Sequence, residues 1–194
     1  LACGTGNHLK YLKEKYICNG LDKNIEMLLI AEKKLPGIGL YHQDMLKKIP
    51  GTYDVIISMF SSIAYVQSYN GFRILAENIS NSLHTGGLII IQPYYETSTY
   101  SPGVYQKHIE MNNELSITRL MHSRIEGICA IQEYHYLIYQ EGKVHYVKDK
   151  HSMALFDITK LIEILSWKNI KAEFIPPDKL NGRGLIIGTK LEKK

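Results

Sequence analysis

The chain has 194 residues, 45% of them hydrophobic and 22% charged, with a formal net charge of +4, enough for one domain with its own core. No apolar run approaches the roughly 18 residues of a membrane span, and the lysines are spread along helices and the tail rather than gathered into the stripe that nucleic acid needs. Cys3, Cys18 and Cys129 are scattered and form no C-x-x-C pair, which argues against a disulfide scaffold or a zinc site and fits a reducing cytoplasm.

In chain order, Leu-Ala-Cys-Gly-Thr-Gly at residues 1–6 is a glycine-rich turn, and a helix over 7–14 follows, with Leu9 and Leu12 inward. Residues 16–21 read as a short strand ending at Asp22. Asn24 is a side-chain cap for a helix over 25–34 with Met27, Leu28 and Ala31 facing inward. Pro36-Gly37 stops it. A strand over 39–42 ends near Asp44. Residues 53–59 form a continuous apolar run, as in a central parallel strand. A helix over 69–83 stops at Gly86-Gly87, and 88–92 is another buried strand stopped by Pro93. This alternation predicts a doubly wound, mostly parallel α/β sheet. Residues 114–152 then read strand after strand, with turns at Glu126-Gly127 and Glu141-Gly142, as in an antiparallel β insertion. Asp157 caps a helix to about Trp167. Strands over 170–175 and 184–191, with Pro176-Pro177 and Asn181-Gly182 between them, have no helix to cross over and form an antiparallel final pair.

The chemistry-bearing residues lie where strands end. Gly4 and Gly6 let backbone N–H groups approach a ligand, or simply make a tight strand-to-helix turn. A dinucleotide fingerprint needs a third glycine at the position that Leu9 holds, which weakens a nicotinamide or flavin reading. Asp22 can accept both ribose hydroxyls of an adenosine, or serve as a capping or solvated acid. Asp44 can accept from an adenine amino group while Met45 packs on the ring.

These pieces resemble the class I S-adenosylmethionine-dependent methyltransferases, with their Rossmann-like fold. The blocks Ser58-Met-Phe-Ser-Ser-Ile-Ala-Tyr65, Gln92-Pro-Tyr-Tyr95, Met121-His-Ser-Arg124, His151-Ser-Met-Ala-Leu-Phe156 and Gly182-Arg-Gly-Leu185 are similar to one subgroup, the N,N-dimethyltransferases of dTDP-linked amino-deoxysugars. In the family an acid and a small residue precede the glycine turn, and Ala2 stands where many members have Gly. Gln92-Pro-Tyr-Tyr departs from the acid and tryptophans of that subgroup.

The resemblance implies S-adenosyl-L-methionine as cofactor. Ala2, Cys3, Gly4 and Gly6 would line its methionine end, together with Met59 through its backbone carbonyl. Asp22, with Lys23 and Met27 beside it, would take the ribose, and Asp44 and Met45 the adenine. His122 matches a family histidine near the reacting amine, or is a strand histidine on the insertion surface. Arg183 would grip the diphosphate, Tyr94 and Tyr95 would stack on thymine or sugar, and Ser61 and Tyr65 would line the acceptor pocket. The bland readings are a surface arginine and loop packing. The expected organisation is one domain, 1–194, lacking its N-terminal segment. Residues 1–95 bind the cofactor, 104–152 form the insertion for substrate or dimer contacts, and 153–194 complete the sheet. The expected partner is a small sugar nucleotide. The exposed strand edges of the insertion need cover, which a second subunit in a homodimer would supply. The competing readings are a class I methyltransferase for another small molecule and a protein that holds the adenosyl cofactor without turnover.

Overall fold

The structure is a computed structural model that describes residues 1–112, 114–177 and 183–192. The predicted turn at Asn181-Gly182 lies outside the described residues. The elements are α1 (Asn7–Leu12), β1 (Asn19–Asp22), α2 (Ile25–Lys34), β2 (Gly39–His42), β3 (Tyr53–Ser58), a 3-10 helix (Ser62–Val66), α3 (Tyr69–Ser82) and β4 (Leu83–Ile91). After them come β5 (Val104–Asn112), β6 (Leu115–Glu126), β7 (Cys129–Gln140), β8 (Lys143–Ala154), α4 (Ile158–Ser166), β9 (Ile170–Ile175) and β10 (Leu185–Lys190).

Local chemistry explains most boundaries. Asn24 accepts from the Met27 N–H, Ser68 from Gly71 and Asp157 from Lys160, each side chain satisfying a backbone donor that the first helical turn leaves open. α3 buries Phe72, Leu75, Ala76 and Ile79 at helical spacing, and α4 buries Ile158, Leu161, Ile164 and Leu165. Each large side chain so buried contributes about 1.5–3 kcal/mol. Met27, expected inward, is instead 42% exposed, because α2 buries only the Leu28 and Ala31 stripe. β1 starts later than predicted, since the Tyr16 N–H still bonds back to Leu12 O and Ile17 is fully exposed. β4 starts earlier: α3 runs straight into it, and the Gly86-Gly87 pair lies inside the strand rather than before it.

The hydrogen-bonded ladders are a parallel pair β1-β2, a four-stranded ladder β3-β4-β10-β9 and a four-stranded antiparallel sheet β5-β6-β7-β8. Within the second ladder β3 and β4 are parallel, while β10 is antiparallel to both β4 and β9, as the short connection predicts. One continuous, mostly parallel sheet is therefore not what the ladders form. The opening residues lie between the two ladders: Cys3 N donates to Leu21 O at 3.0 Å on one side, and Leu1 N donates to Ile57 O at 2.7 Å on the other.

The core joins α3, α4, β3, β4 and β10 through Ile56, Phe72, Leu75, Ile89, Leu161, Leu165 and Ile186. A second cluster of Ala64, Tyr94, Ala130, Met153 and Leu155 ties the base of the antiparallel sheet to the 3-10 helix. Its far half stands in solvent, with Val144 68% and Tyr146 60% exposed. No helix among the described residues is long and apolar enough to cross a membrane.

Candidate active site

The opening glycine turn and the carboxyl ends of β1, β2 and β3 carry the first group of predicted residues, and such strand ends are where ligands bind in open α/β sheets. Ala2, Gly4 and Gly6 have positive φ values of 50°, 53° and 74°. A Cβ on Gly6 would stand 2.6 Å from Leu35 Cδ1, whereas one on Gly4 would meet nothing within 4 Å. Gly6 is thus a packing glycine against α2, and Gly4 borders open space. Asp22 holds this turn: Oδ2 accepts from Gly4 N at 2.7 Å and Oδ1 from Asn24 N at 2.8 Å. A carboxylate offers about four acceptor positions, so each oxygen keeps one free. Cys3 packs against Gly20, where an added Cβ would lie 2.8 Å from its sulfur. Burial, then the Asp22 charge, pushes its thiol pKa up.

Asp44 sits two residues beyond β2 and turns back on its own loop, Oδ1 accepting from Leu46 N at 2.9 Å. Met45 packs against the main core, and its carbonyl accepts from Asn78 at 3.3 Å. The Lys23 carbonyl accepts from His42 Nε2 at 3.0 Å, which joins the loops after β1 and β2. Met59 directly follows β3, and its carbonyl already accepts from Ser62 N at 3.3 Å and Ser62 Oγ at 2.9 Å.

The second group converges on a cleft of about 240 Å³ lined by Phe60, Tyr65, Tyr94, Tyr134, His151 and Arg183, among others. It lies between the carboxyl ends of β3 and β4 and the base of the antiparallel sheet. Phe60 and Ser61 both have left-handed backbones, φ 53° and 64°, a strained pair held by Phe60 N donating to Gln92 Oε1 at 2.8 Å and Ser61 Oγ donating to Pro93 O at 2.8 Å. Ser61 is fully buried and serves as an anchor: Arg183 Nη1 donates to its Oγ at 2.9 Å. The guanidinium lies 5.0 Å from the Tyr94 ring centre and 4.8 Å from that of Tyr95, within cation–π range. That one bond to Ser61 is its only hydrogen bond among the described residues, leaving other N–H donors of the fork for a ligand.

Next to this wall, buried Gln132 donates to Tyr94 Oη at 2.7 Å and Tyr100 Oη at 3.3 Å, and accepts from Tyr134 Oη at 2.9 Å. Burial is the main cause that pushes the Tyr94 hydroxyl pKa up, with Arg183 opposing it. On the other side Tyr65 Oη meets His151 Nδ1 at 2.7 Å, and His151 Nε2 lies 3.0 Å from Asp149 Oδ2.

Ser61, Tyr65, Tyr94, Tyr95 and Arg183 are therefore brought together, and His122 is not. His122 pairs with Glu133 across β6 and β7, whereas Gln132 and Tyr134, its neighbours on either side, line the cleft. Side chains alternate along a strand, so His122 projects from the opposite face, where it is exposed. The imidazole at the cleft is that of His151, together with Gln132 and Tyr134, none of which the sequence reading assigned to the site. The signal was present: the two-residue hairpin at Glu141-Gly142 sets Gln132 opposite His151 and Tyr134 opposite Asp149.

No protein-family model matches the chain. The architecture is that of S-adenosylmethionine-dependent methyltransferases. The sugar N-methyltransferase KedS8 of a Streptoalloteichus species superposes with a TM-score of 0.89 at 24% identity, covering 98% of this chain and 78% of that one. DesVI of Streptomyces venezuelae superposes at 0.87 with 26% identity, over 97% and 81% of the two chains. In sequence, the chain is similar to the dTDP-3-amino-3,4,6-trideoxy-alpha-D-glucopyranose N,N-dimethyltransferase of Streptomyces venezuelae, 26% identical over 191 residues, or 97% of this chain and 80% of that protein.

Proposed function

We propose that the chain is an S-adenosylmethionine-dependent N-methyltransferase whose acceptor is the amino group of a dTDP-linked amino-deoxysugar. The observation that carries this reading is the Arg183 fork held between Ser61, Tyr94 and Tyr95 at the mouth of the cleft. A guanidinium with free donors suits a diphosphate, and flat tyrosine faces suit a base or sugar. Similarity over 97% of the chain to an enzyme named for such a substrate supports it.

The residues present suit the cofactor. Gly4 borders open space, and the Asp22 carboxylate beside it is fixed by two N–H groups with acceptor positions to spare. Ala2, Gly4 and Gly6 would line the methionine end, Asp22 with Lys23 and Met27 the ribose, and Asp44 with Met45 the adenine. A role for the Met59 carbonyl requires the Ser62 hydroxyl to turn away from it. When bound, S-adenosylmethionine supplies an electrophilic methyl group on a sulfonium. The chain then has to hold a neutral amine in line and keep water away. Tyr94, buried and held by Gln132, gives the cleft a rigid wall, and Arg183 sets the register of the sugar nucleotide along it. In this reading residues 1–95 hold the cofactor, 104–152 close the acceptor side, and 153–194 complete the sheet and bring in Arg183.

Incubation of the full-length protein with S-adenosylmethionine and dTDP-aminosugars, followed by mass spectrometry, tests this. Successive methyl additions are expected. Methylation of some other small amine, with every dTDP-aminosugar left unchanged, would overturn the acceptor class.

A further inference from the structure

The acceptor amine of an amino sugar is an ammonium at neutral pH and must lose a proton before its lone pair can attack. The cleft contains a chain of groups suited to take that proton. Tyr65 sits on the 3-10 helix with its hydroxyl 2.7 Å from His151 Nδ1, and His151 Nε2 is 3.0 Å from Asp149 Oδ2. An ionised carboxylate only accepts hydrogen bonds, so Nε2 of the neutral ring carries the hydrogen and Nδ1 is bare. Nδ1 must then accept from the Tyr65 hydroxyl, which leaves the lone pairs of the Tyr65 oxygen free. Tyr65 and His151 both line the cleft.

We propose that Tyr65, His151 and Asp149 form a proton-accepting relay for the acceptor amine, an inference that rests on the N-methyltransferase reading above. The ammonium N–H bond breaks and leaves its electron pair on nitrogen. That proton binds the Tyr65 oxygen as the Tyr65 O–H proton passes to His151 Nδ1. The substrate goes from cation to neutral amine and His151 from neutral ring to imidazolium, so charge balances, and Asp149 faces the imidazolium as its counter-ion. Tyr65 and His151 touch the cleft, while Asp149 acts through His151 as a positioning residue.

Tyr134 meets the His151 ring edge-on at 5.3 Å, and Arg119 lies over the Tyr134 ring at 5.4 Å. Arg183 and Tyr94 line the same cleft, with Arg183 over the Tyr94 ring. Burial, with the charges of Tyr134 and Asp149, pushes the Tyr65 hydroxyl pKa up, so the phenol stays protonated and relays rather than ionises. A similar pair, His135 Nδ1 with Tyr146 Oη at 2.6 Å, lies on the other face of the sheet away from the cleft, and no carboxylate ion pair with His135 occurs among the described residues.

Two measurements on the full chain test the relay. In the nitrogen-15 spectrum of the imidazoles, His151 is expected as the Nε2–H tautomer, and Tyr65→Phe should shift Nδ1 while Nε2 barely moves. A hydrogen on Nδ1 overturns the relay whatever the enzyme turns over. In turnover of dTDP-aminosugars, Tyr65→Phe keeps the ring and its packing and should lower kcat about 10²-fold near neutral pH with KM little changed. The deficit should shrink as pH rises and the amine becomes neutral in solution, and Asp149→Asn should show a smaller loss of the same kind. An active wild type with an unimpaired Tyr65→Phe variant refutes the relay alone. A wild type inert toward every dTDP-aminosugar refutes the acceptor class, and the relay with it.

Discussion

Gly4 donates its backbone N–H to Asp22 Oδ2 at 2.7 Å, which ties the glycine turn to the end of β1. The second oxygen of the same carboxylate takes Asn24 N, at the residue that caps α2. An amide in place of the carboxylate would present one acceptor and one donor to two N–H groups. Asp22→Asn is therefore expected to cost about 1–2 kcal/mol of stability and to weaken S-adenosylhomocysteine binding at least ~10-fold by calorimetry. Unchanged affinity would show that the carboxylate only organises the turn.

The two glycines of the turn should respond differently to alanine. Gly6→Ala places a methyl 2.6 Å from Leu35 Cδ1, a side chain that is 1% exposed, at φ 74°. Crowding and backbone strain together predict a loss of about 2 kcal/mol or more in urea unfolding. Gly4→Ala meets no atom within 4 Å, so it should cost only the ~1 kcal/mol of a left-handed alanine. It should nevertheless impair cofactor binding, because it fills the open space beside Asp22. Equal stability losses in both variants would contradict this division.

Arg183→Lys should not restore what Arg183→Ala loses. The flat guanidinium spans Tyr94 and Tyr95 and bonds Ser61 at once, which a lysine ammonium cannot do. Both variants should raise KM for a dTDP-aminosugar by about tenfold or more, with a smaller effect on kcat. Wild-type KM in Arg183→Lys would reduce the site to a simple positive charge.

Glu133 titrates in the antiparallel sheet between Arg124 Nη1 at 2.8 Å and Lys148 Nζ at 3.3 Å. Hydrogen bonds from Arg124, then from Lys148, hold its pKa down to about 2 from 4.5. A lowered folded-state value stabilises the native chain fully above the unfolded value, and that contribution fades as pH falls from about 4.5 toward 2. The carboxyl carbon shift of Glu133 should report a midpoint near 2, and Glu133→Gln should flatten the acid limb of the stability curve. A midpoint near 4.5 would mean that solvent screens both partners.

His122→Ala is expected to keep kcat/KM for a dTDP-aminosugar within about twofold, because the His122 side chain leaves the sheet on the face opposite Gln132 and Tyr134. A loss of tenfold or more would require His122 to reach a reacting amine by a route this fold does not provide.

Local elements were legible because their causes are local. The α2 boundaries and the Asn24 cap follow from a side chain three residues before the N–H it accepts. The helical faces of α3 and α4 follow from apolar spacing. Asp22 and the glycine turn stand at a strand end and a helix start, where sequence punctuation is strongest. The misread boundaries are those that packing decides. Met27 is apolar yet exposed on α2, and Gly86-Gly87 reads as a stop although it lies inside β4, in the irregular stretch between the pairings of Leu83 with Tyr53 and of Leu88 with Val55.

By itself the sequence determined the α/β alternation, the antiparallel insertion, the helix caps and the glycine–acid pair at the carboxyl ends of the strands, since period, turn chemistry and capping act within a few residues. Only the tertiary structure decided which side chains share the cleft. Strand register places His151, not His122, on the face that carries Gln132 and Tyr134, and a one-residue difference along a strand reverses the face. The bond from Arg183 to Ser61 spans 122 residues of sequence. It exists because β10 runs antiparallel between β4 and β9 and so starts beside the carboxyl end of β4, a placement that long-range pairing sets and local sequence does not.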